Sequence, residues 1–165
     1  MSKISPLAFI DPEAKIGENC EIGPFCFIDK NVEIGDNNVL MNSVSVLYGA
    51  RIGNGNVIFP GAVISAVPQD LKFRGEDTTA EVGDNNKIRE NVTINRGTAA
   101  KGKTCVGSGN LLMESVHVAH DAFVGNDCII GNGTKLAGEI IIDDHAIISA
   151  NVLMHQFCRV GGYTM

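Results

Sequence analysis

The chain has 165 residues, about one ordinary domain, and 44% of them are hydrophobic while only 5% are aromatic and none is tryptophan. A net charge of −6 excludes a dedicated nucleic-acid binder, which needs a basic face. With no signal peptide and no apolar run long enough to span a bilayer, a cytoplasmic protein without a transmembrane segment is expected.

After a short lead-in, Met1 to Phe9, the sequence enters a beat of six. Ile10, Ile16, Ile22, Ile28, Ile34, Leu40, Val46, Ile52, Ile58 and Ile64 follow one another at that spacing. The beat is interrupted over Ser65 to Glu81, resumes at Val82, Ile88 and Ile94, and is interrupted again over Asn95 to Cys105. From Val106 it runs through Leu112, Val118, Val124, Ile130, Leu136, Ile142, Ile148 and Met154 to Val160. A mostly small residue follows four positions later, and glycine often comes directly after the aliphatic residue.

A period of six matches neither an amphipathic helix nor an alternating strand. It matches a chain that turns a corner every six residues and points one large side chain inward per flat face, the signature of a parallel β-helix. The fold expected is therefore all-β, a solenoid with three faces per coil, in one domain spanning 1–165. Its thin core, filled by Ile, Val and Ala, would account for the scarcity of aromatic residues.

Three hexads make one coil of 18 residues. Naming the Ile10 hexad face A, the A hexads start at 10, 28, 46, 64, 94, 118, 136 and 154. The phase survives both interruptions, so these are loops budding from one stack, and both leave from the corner after a face-A hexad. Excursions of this kind are where solenoids usually carry function.

Five cysteines occur without a CxxC pair. Cys20, Cys26, Cys128 and Cys158 fall at the small inward position of a hexad, where cysteine acts as a small hydrophobe. Cys105 sits just before a hexad.

The candidate chemistry gathers on face A. His120 begins a column that continues 18 residues on with Gly138 and 18 further with Gln156. Asp121 heads the neighbouring column, followed by Glu139 and Phe157, and Lys135 lies one coil beyond His117. A histidine with a glycine directly above it suggests a base beside an exposed backbone N–H. The plain alternative is a solvated surface histidine; the two loops and the adjacent Asp121 weigh against it.

At these residues the chain resembles a known family. The matching stretches include Pro68-Gln69-Asp70-Leu71-Lys72-Phe73, Ile88-Arg89-Glu90-Asn91-Val92-Thr93-Ile94 with Arg96-Gly97-Thr98, and His117-Val118-Ala119-His120-Asp121. Leu136-Ala137-Gly138 and His155-Gln156-Phe157-Cys158 complete the series, in order across nearly the whole chain. They are similar to the acyl-carrier-protein-dependent UDP-N-acetylglucosamine O-acyltransferases that open lipid A biosynthesis. The hexads alone would point only to a broad acyltransferase superfamily; the Gln-Asp-Leu-Lys loop with His-x-x-His-Asp is far more specific.

The resemblance implies a left-handed coil, a homotrimer with clefts between subunits, and transfer of a 3-hydroxyacyl group to the sugar 3-hydroxyl. The donor would ride on the phosphopantetheine of acyl carrier protein, with no bound cofactor and no metal. By the same resemblance His120 is the general base, Asp121 its support and Gly138 the oxyanion donor. Gln69, Asp70, Lys72, His117, His155 and Gln156 would contact substrate. Glu139 stands where better-known members carry a histidine that helps bind the sugar, so a carboxylate is expected there instead. The family also continues through further coils into a helical domain, absent here, since this sequence stops at Met165. Rival readings are a related hexapeptide N-acyltransferase or acetyltransferase, and a zinc enzyme of the γ-carbonic-anhydrase type using His117 and His120.

Overall fold

The computed structural model describes residues 2–165; Met1, the first residue of the lead-in, lies outside them. The described residues form 24 short strands, every pairing between them parallel, arranged as three sheets of eight. This is a left-handed parallel β-helix. Face A is built from Phe9–Ile10, Phe27–Ile28, Ser45–Val46, Val63–Ala66, Thr93–Asn95, His117–Val118, Lys135–Leu136 and Leu153–Met154. That is the set counted from the sequence. Face B starts from Lys15–Ile16 and face C from Lys3–Ile4.

Strands of two residues are all that a hexad supplies, because four of its six residues are spent reaching and turning the corner. The inward residue of each pair is buried and the outward one faces solvent, as in Glu21–Ile22 and Lys135–Leu136. From Ile22 to Ile142 the inward aliphatic residues are at most 5% exposed. Toward the ends, where no further coil covers them, Ile10, Ile16, Met154 and Val160 are only partly buried. Cys20, Cys26 and Cys128 lie in the core as expected, but Cys158 does not. It sits in the last described coil with no coil stacked over it, and it is exposed. Cys105 points outward on face B and is half-buried.

The corners obey a second rule of six. Three residues after most inward aliphatic residues, the backbone enters the left-handed region, as at Asn19, Asn31, Asn37, Asn85, Asn91 and Asn151. Glycine fills the same place at Gly49, Gly55, Gly61, Gly109 and Gly133. Asn, Asp and Gly are the residues that tolerate that conformation best, which explains their recurrence. Larger residues adopt it at Phe25, Glu139 and Phe157.

One corner carries a buried hydrogen-bonded ladder. Asn38, Asn56, Asn86 and Asn110 are at most 1% exposed and follow each other on successive coils. The Oδ1 of Asn38 accepts from the Asn56 backbone N–H at 2.8 Å, Asn56 accepts from Asn86 at 2.9 Å, and Asn86 from Asn110 at 2.8 Å. Their amide groups donate to glycine carbonyls, Asn86 to Gly107 at 2.9 Å. The ladder satisfies polar backbone that a turning chain would otherwise bury unpaired. Replacing Asn86 with leucine should strand the Asn110 N–H and the Gly107 carbonyl and cost about 2–4 kcal/mol. A thermal melt unchanged from wild type would contradict this.

The two excursions are shorter than the sequence suggested. Face-A strand Val63–Ala66 and face-B strand Thr79–Val82 extend into the first, leaving 67–78. Thr93–Asn95 and Lys103–Val106 do the same to the second, leaving 96–102. The reason is pairing: Thr79 and Ala80 lie against Lys103 and Thr104, so the roots of the two loops extend the face-B sheet. Both loops leave from the corner between faces A and B, as the phase required.

Candidate active site

The corner that bears the loops also bears His120, between His117–Val118 on face A and Phe123–Val124 on face B. His120, Gly138 and Gln156 occupy equivalent places on three successive coils. The Glu139 N–H donates to the His120 carbonyl at 3.1 Å and the Phe157 N–H to the Gly138 carbonyl at 3.4 Å. The imidazole of His120 lies close against Gly138 on the next coil. A Cβ on Gly138 would stand 2.6 Å from Cε1 and 2.8 Å from Nε2 of that ring. Only glycine lets the ring rest there.

Asp121 fixes the ring from behind. It sits in the left-handed corner conformation (φ 59°), is 1% exposed, and its Oδ2 lies 2.8 Å from His120 Nδ1. The second excursion wraps the same carboxylate. Thr98 donates its N–H to Oδ1 at 2.9 Å and its hydroxyl to Oδ2 at 2.6 Å, while the Lys101 N–H reaches Oδ1 at 3.3 Å. Burial pushes the Asp121 carboxyl up, but the Thr98 and His120 hydrogen bonds outweigh it and hold the group below its usual range. An ionised carboxylate only accepts, so the bridging proton belongs to His120 Nδ1, and Nε2 of the neutral ring is left as an acceptor.

Around this pair a cavity of about 490 Å³ opens, lined by Gln69, His117, His120, Lys135, Gly138, Leu153, Met154, His155 and Gln156, with Ala119, Leu136 and Ala137 at its floor. The Gly138 N–H has no protein acceptor among the described residues and is available to a ligand. His117 shares a 2.7 Å hydrogen bond between Nδ1 and Thr93 Oγ1. Burial, with Lys135 and His120 nearby, lowers its affinity for a proton, which favours the neutral ring.

Six of the ten site residues read from the sequence therefore line one cavity: Gln69, His117, His120, Gly138, His155 and Gln156. Asp121 stands directly behind His120. The remaining three, Asp70, Lys72 and Glu139, do not line it. Asp70 spends a carboxylate oxygen on the Lys72 N–H at 2.9 Å, a local turn that leaves the Lys72 side chain in solvent. Glu139 occupies the strained corner beside Gly138 (φ 59°).

Several supporting residues were given no role by the sequence. Thr98, Lys101 and Thr104 surround Asp121, Thr104 accepting its backbone N–H at 2.8 Å. Arg96 lies against the rings of Tyr48 and Phe73, 5.5 and 5.3 Å from their centroids, and its N–H donates to Ala66 at 2.9 Å. It ties the first excursion, and with it Gln69, to the stack. A signal was present in Arg96-Gly97-Thr98, which the family resemblance picked out without assigning it work.

Fold and site together define a hexapeptide-repeat β-helix with a His–Asp pair set against a bare glycine. No protein-family model matches the chain. An acyl-[acyl-carrier-protein]–UDP-N-acetylglucosamine O-acyltransferase from Aliarcobacter butzleri is 45% identical over 166 residues, covering 100% of this chain and 64% of that protein. The crystal structure of a UDP-N-acetylglucosamine acyltransferase from Bacteroides fragilis is 76% identical with a TM-score of 0.95, covering 97% of this chain and 63% of its own. Another solved UDP-N-acetylglucosamine acyltransferase is 32% identical with a TM-score of 0.72, covering 98% of this chain and 71% of its own. The chain belongs to the UDP-N-acetylglucosamine acyltransferase family. It spans just under two thirds of the length of the first two of these relatives.

Proposed function

We propose that the protein of which this chain is part moves a 3-hydroxyacyl group from acyl carrier protein to the 3-hydroxyl of UDP-N-acetylglucosamine, the first step of lipid A biosynthesis. One observation carries the reading: His120, its Nδ1 held from behind by Asp121, lies against a glycine whose N–H is unused. A sugar hydroxyl is a weak nucleophile at neutral pH. Within hydrogen-bond reach, His120 Nε2 takes its proton as the oxygen attacks the thioester carbonyl. The new C–O bond forms a tetrahedral oxyanion, which the Gly138 N–H stabilises by about 3 kcal/mol. Collapse breaks the C–S bond, and the imidazolium returns its proton to the departing thiolate of phosphopantetheine. Asp121 stays ionised throughout and stabilises the imidazolium. No side chain forms a covalent intermediate.

Gln69, His117, His155 and Gln156 supply hydrogen-bonding edges around the sugar. Asp70, Lys72 and Glu139 would join them only through movement of the first loop or from across a subunit boundary. Such a boundary fits the outward residues. Face B carries the pairs Lys15–Glu33 and Lys103–Glu81 at 2.9 and 3.0 Å, with apolar Phe123 and Ile141 outward in its later coils. Face C presents Val39, Val57, Leu111, Ile129 and Ile147, interrupted by Lys87. A homotrimer that packs faces A and C and leaves face B outside buries the apolar column and closes the cleft. Among the described residues no helix is long and apolar enough to cross a membrane, in keeping with work in the cytoplasm on carrier-protein and nucleotide substrates.

A zinc hydratase would need a third donor beside His117 and His120. No group of three His, Cys, Asp or Glu among the described residues is placed to hold a metal. The test is acyl transfer by the full-length protein with UDP-N-acetylglucosamine and 3-hydroxyacyl carrier proteins of several chain lengths. An O-linked 3-acyl ester is expected. Acylation only of an amine, or only from acetyl-CoA, would move the protein to one of the rival activities. Light scattering should give three copies; a monomer at micromolar concentration would contradict the shared cleft.

A further inference from the structure

The second excursion has no place in the chemistry above, yet it is the element most tightly tied to the catalytic pair. We propose that Thr98 is a positioning residue: its hydroxyl and N–H clamp Asp121 in the one orientation that keeps His120 as the Nδ1–H tautomer with Nε2 facing the cavity. This rests on the reading of His120 as the base.

The geometry is over-determined around one carboxylate. Oδ2 of Asp121 receives both the Thr98 hydroxyl at 2.6 Å and His120 Nδ1 at 2.8 Å, and Oδ1 receives the Thr98 N–H at 2.9 Å. Thr98 thus grips both oxygens and sets the plane of the group. The hydroxyl is itself oriented, because its oxygen accepts the Ala100 N–H at 3.2 Å, which aims its hydrogen at Asp121. The loop is held to the corner independently by Lys101 Nζ on the Asp121 carbonyl at 3.2 Å. Thr98 is 7% exposed and Asp121 1%, so water does not readily replace the hydroxyl.

Without that hydroxyl, Oδ1 of Asp121 keeps the Thr98 and Lys101 N–H groups, and Oδ2 is left to His120 alone. The carboxylate can then rotate about its terminal bond and the ring loses its fixed partner. A hydrogen bond to a buried charge is strong enough for its loss to change rate by about tenfold or more. The backbone N–H survives any substitution, so the loop retains most of its anchorage.

The test uses the full-length protein as wild type, Thr98→Val and Thr98→Ser, with two readouts. Thr98→Val should lower kcat about tenfold or more with KM little changed, and Thr98→Ser should restore most of it. Independently, the ring ¹⁵N signals of His120 should report a dominant Nδ1–H tautomer in wild type and Thr98→Ser, and a mixture in Thr98→Val. An unchanged tautomer and unchanged kcat in Thr98→Val would overturn the proposal while leaving His120 as base. A mixed tautomer with undiminished turnover would uphold the clamp and remove the base reading instead. If Thr98→Val does not fold, the serine variant still decides: with its hydroxyl retained it must match wild type in tautomer and kcat, and a tautomer mixture there would overturn the clamp.

Discussion

Replacing His120 with alanine should lower turnover by about two orders of magnitude or more, the usual scale for losing a general base, while the stack survives. The ring projects from a corner and is not one of the inward residues that fill the core. Its removal does not orphan Asp121, which keeps the two Thr98 bonds and the Lys101 N–H. Gly138 and its free N–H stay where they are, so a residual rate from oxyanion stabilisation and binding should persist. A variant with near-normal turnover and the wild-type melting temperature would mean that the proton goes elsewhere.

The second large effect is expected at Gly138. A valine there places its Cβ 2.6 Å from the imidazole, inside any permitted contact, so the ring must tilt off the corner. The displaced ring loses its alignment with the Asp121 carboxylate and its aim at the hydroxyl. The added methyl groups also shield the N–H from an acyl oxygen. Two parts of the mechanism fail together, so turnover should fall by about 10²-fold or more. The inward neighbour Leu136 is fully buried in the core and should not move, so melting should change little. Wild-type turnover in Gly138→Val would separate the glycine from the chemistry.

Much of this architecture was legible before any coordinates. Inward residues such as Ile28, Val118 and Leu136 are spaced by multiples of six because each flat face admits one core side chain. Counting by 18 then placed His120, Gly138 and Gln156 in one column. What escaped was whatever depends on contacts across coils or across loops. The Asn38–Asn110 ladder is written as ordinary turn residues, and only stacking converts them into a buried hydrogen-bonded column. Thr98 and Lys101 lie 20 or more residues before Asp121 and meet it only because the second loop folds over its corner. The loop bounds were overestimated because the hexad rule is blind to strands that lengthen, as at Val63–Ala66 and Thr79–Val82, when their roots pair. The cavity also lacks Asp70, Lys72 and Glu139, which the family resemblance had grouped with the others. Resemblance carries roles between positions, but the fold of this chain decides which side chains reach the same space.

The most direct test of the account is a crystal structure of the full-length protein with UDP-N-acetylglucosamine bound. The account predicts the sugar 3-hydroxyl about 3 Å from His120 Nε2, with the Gly138 N–H facing open space beside it for the acyl oxygen. A sugar seated away from this corner, or with its 3-hydroxyl turned from His120, would contradict it.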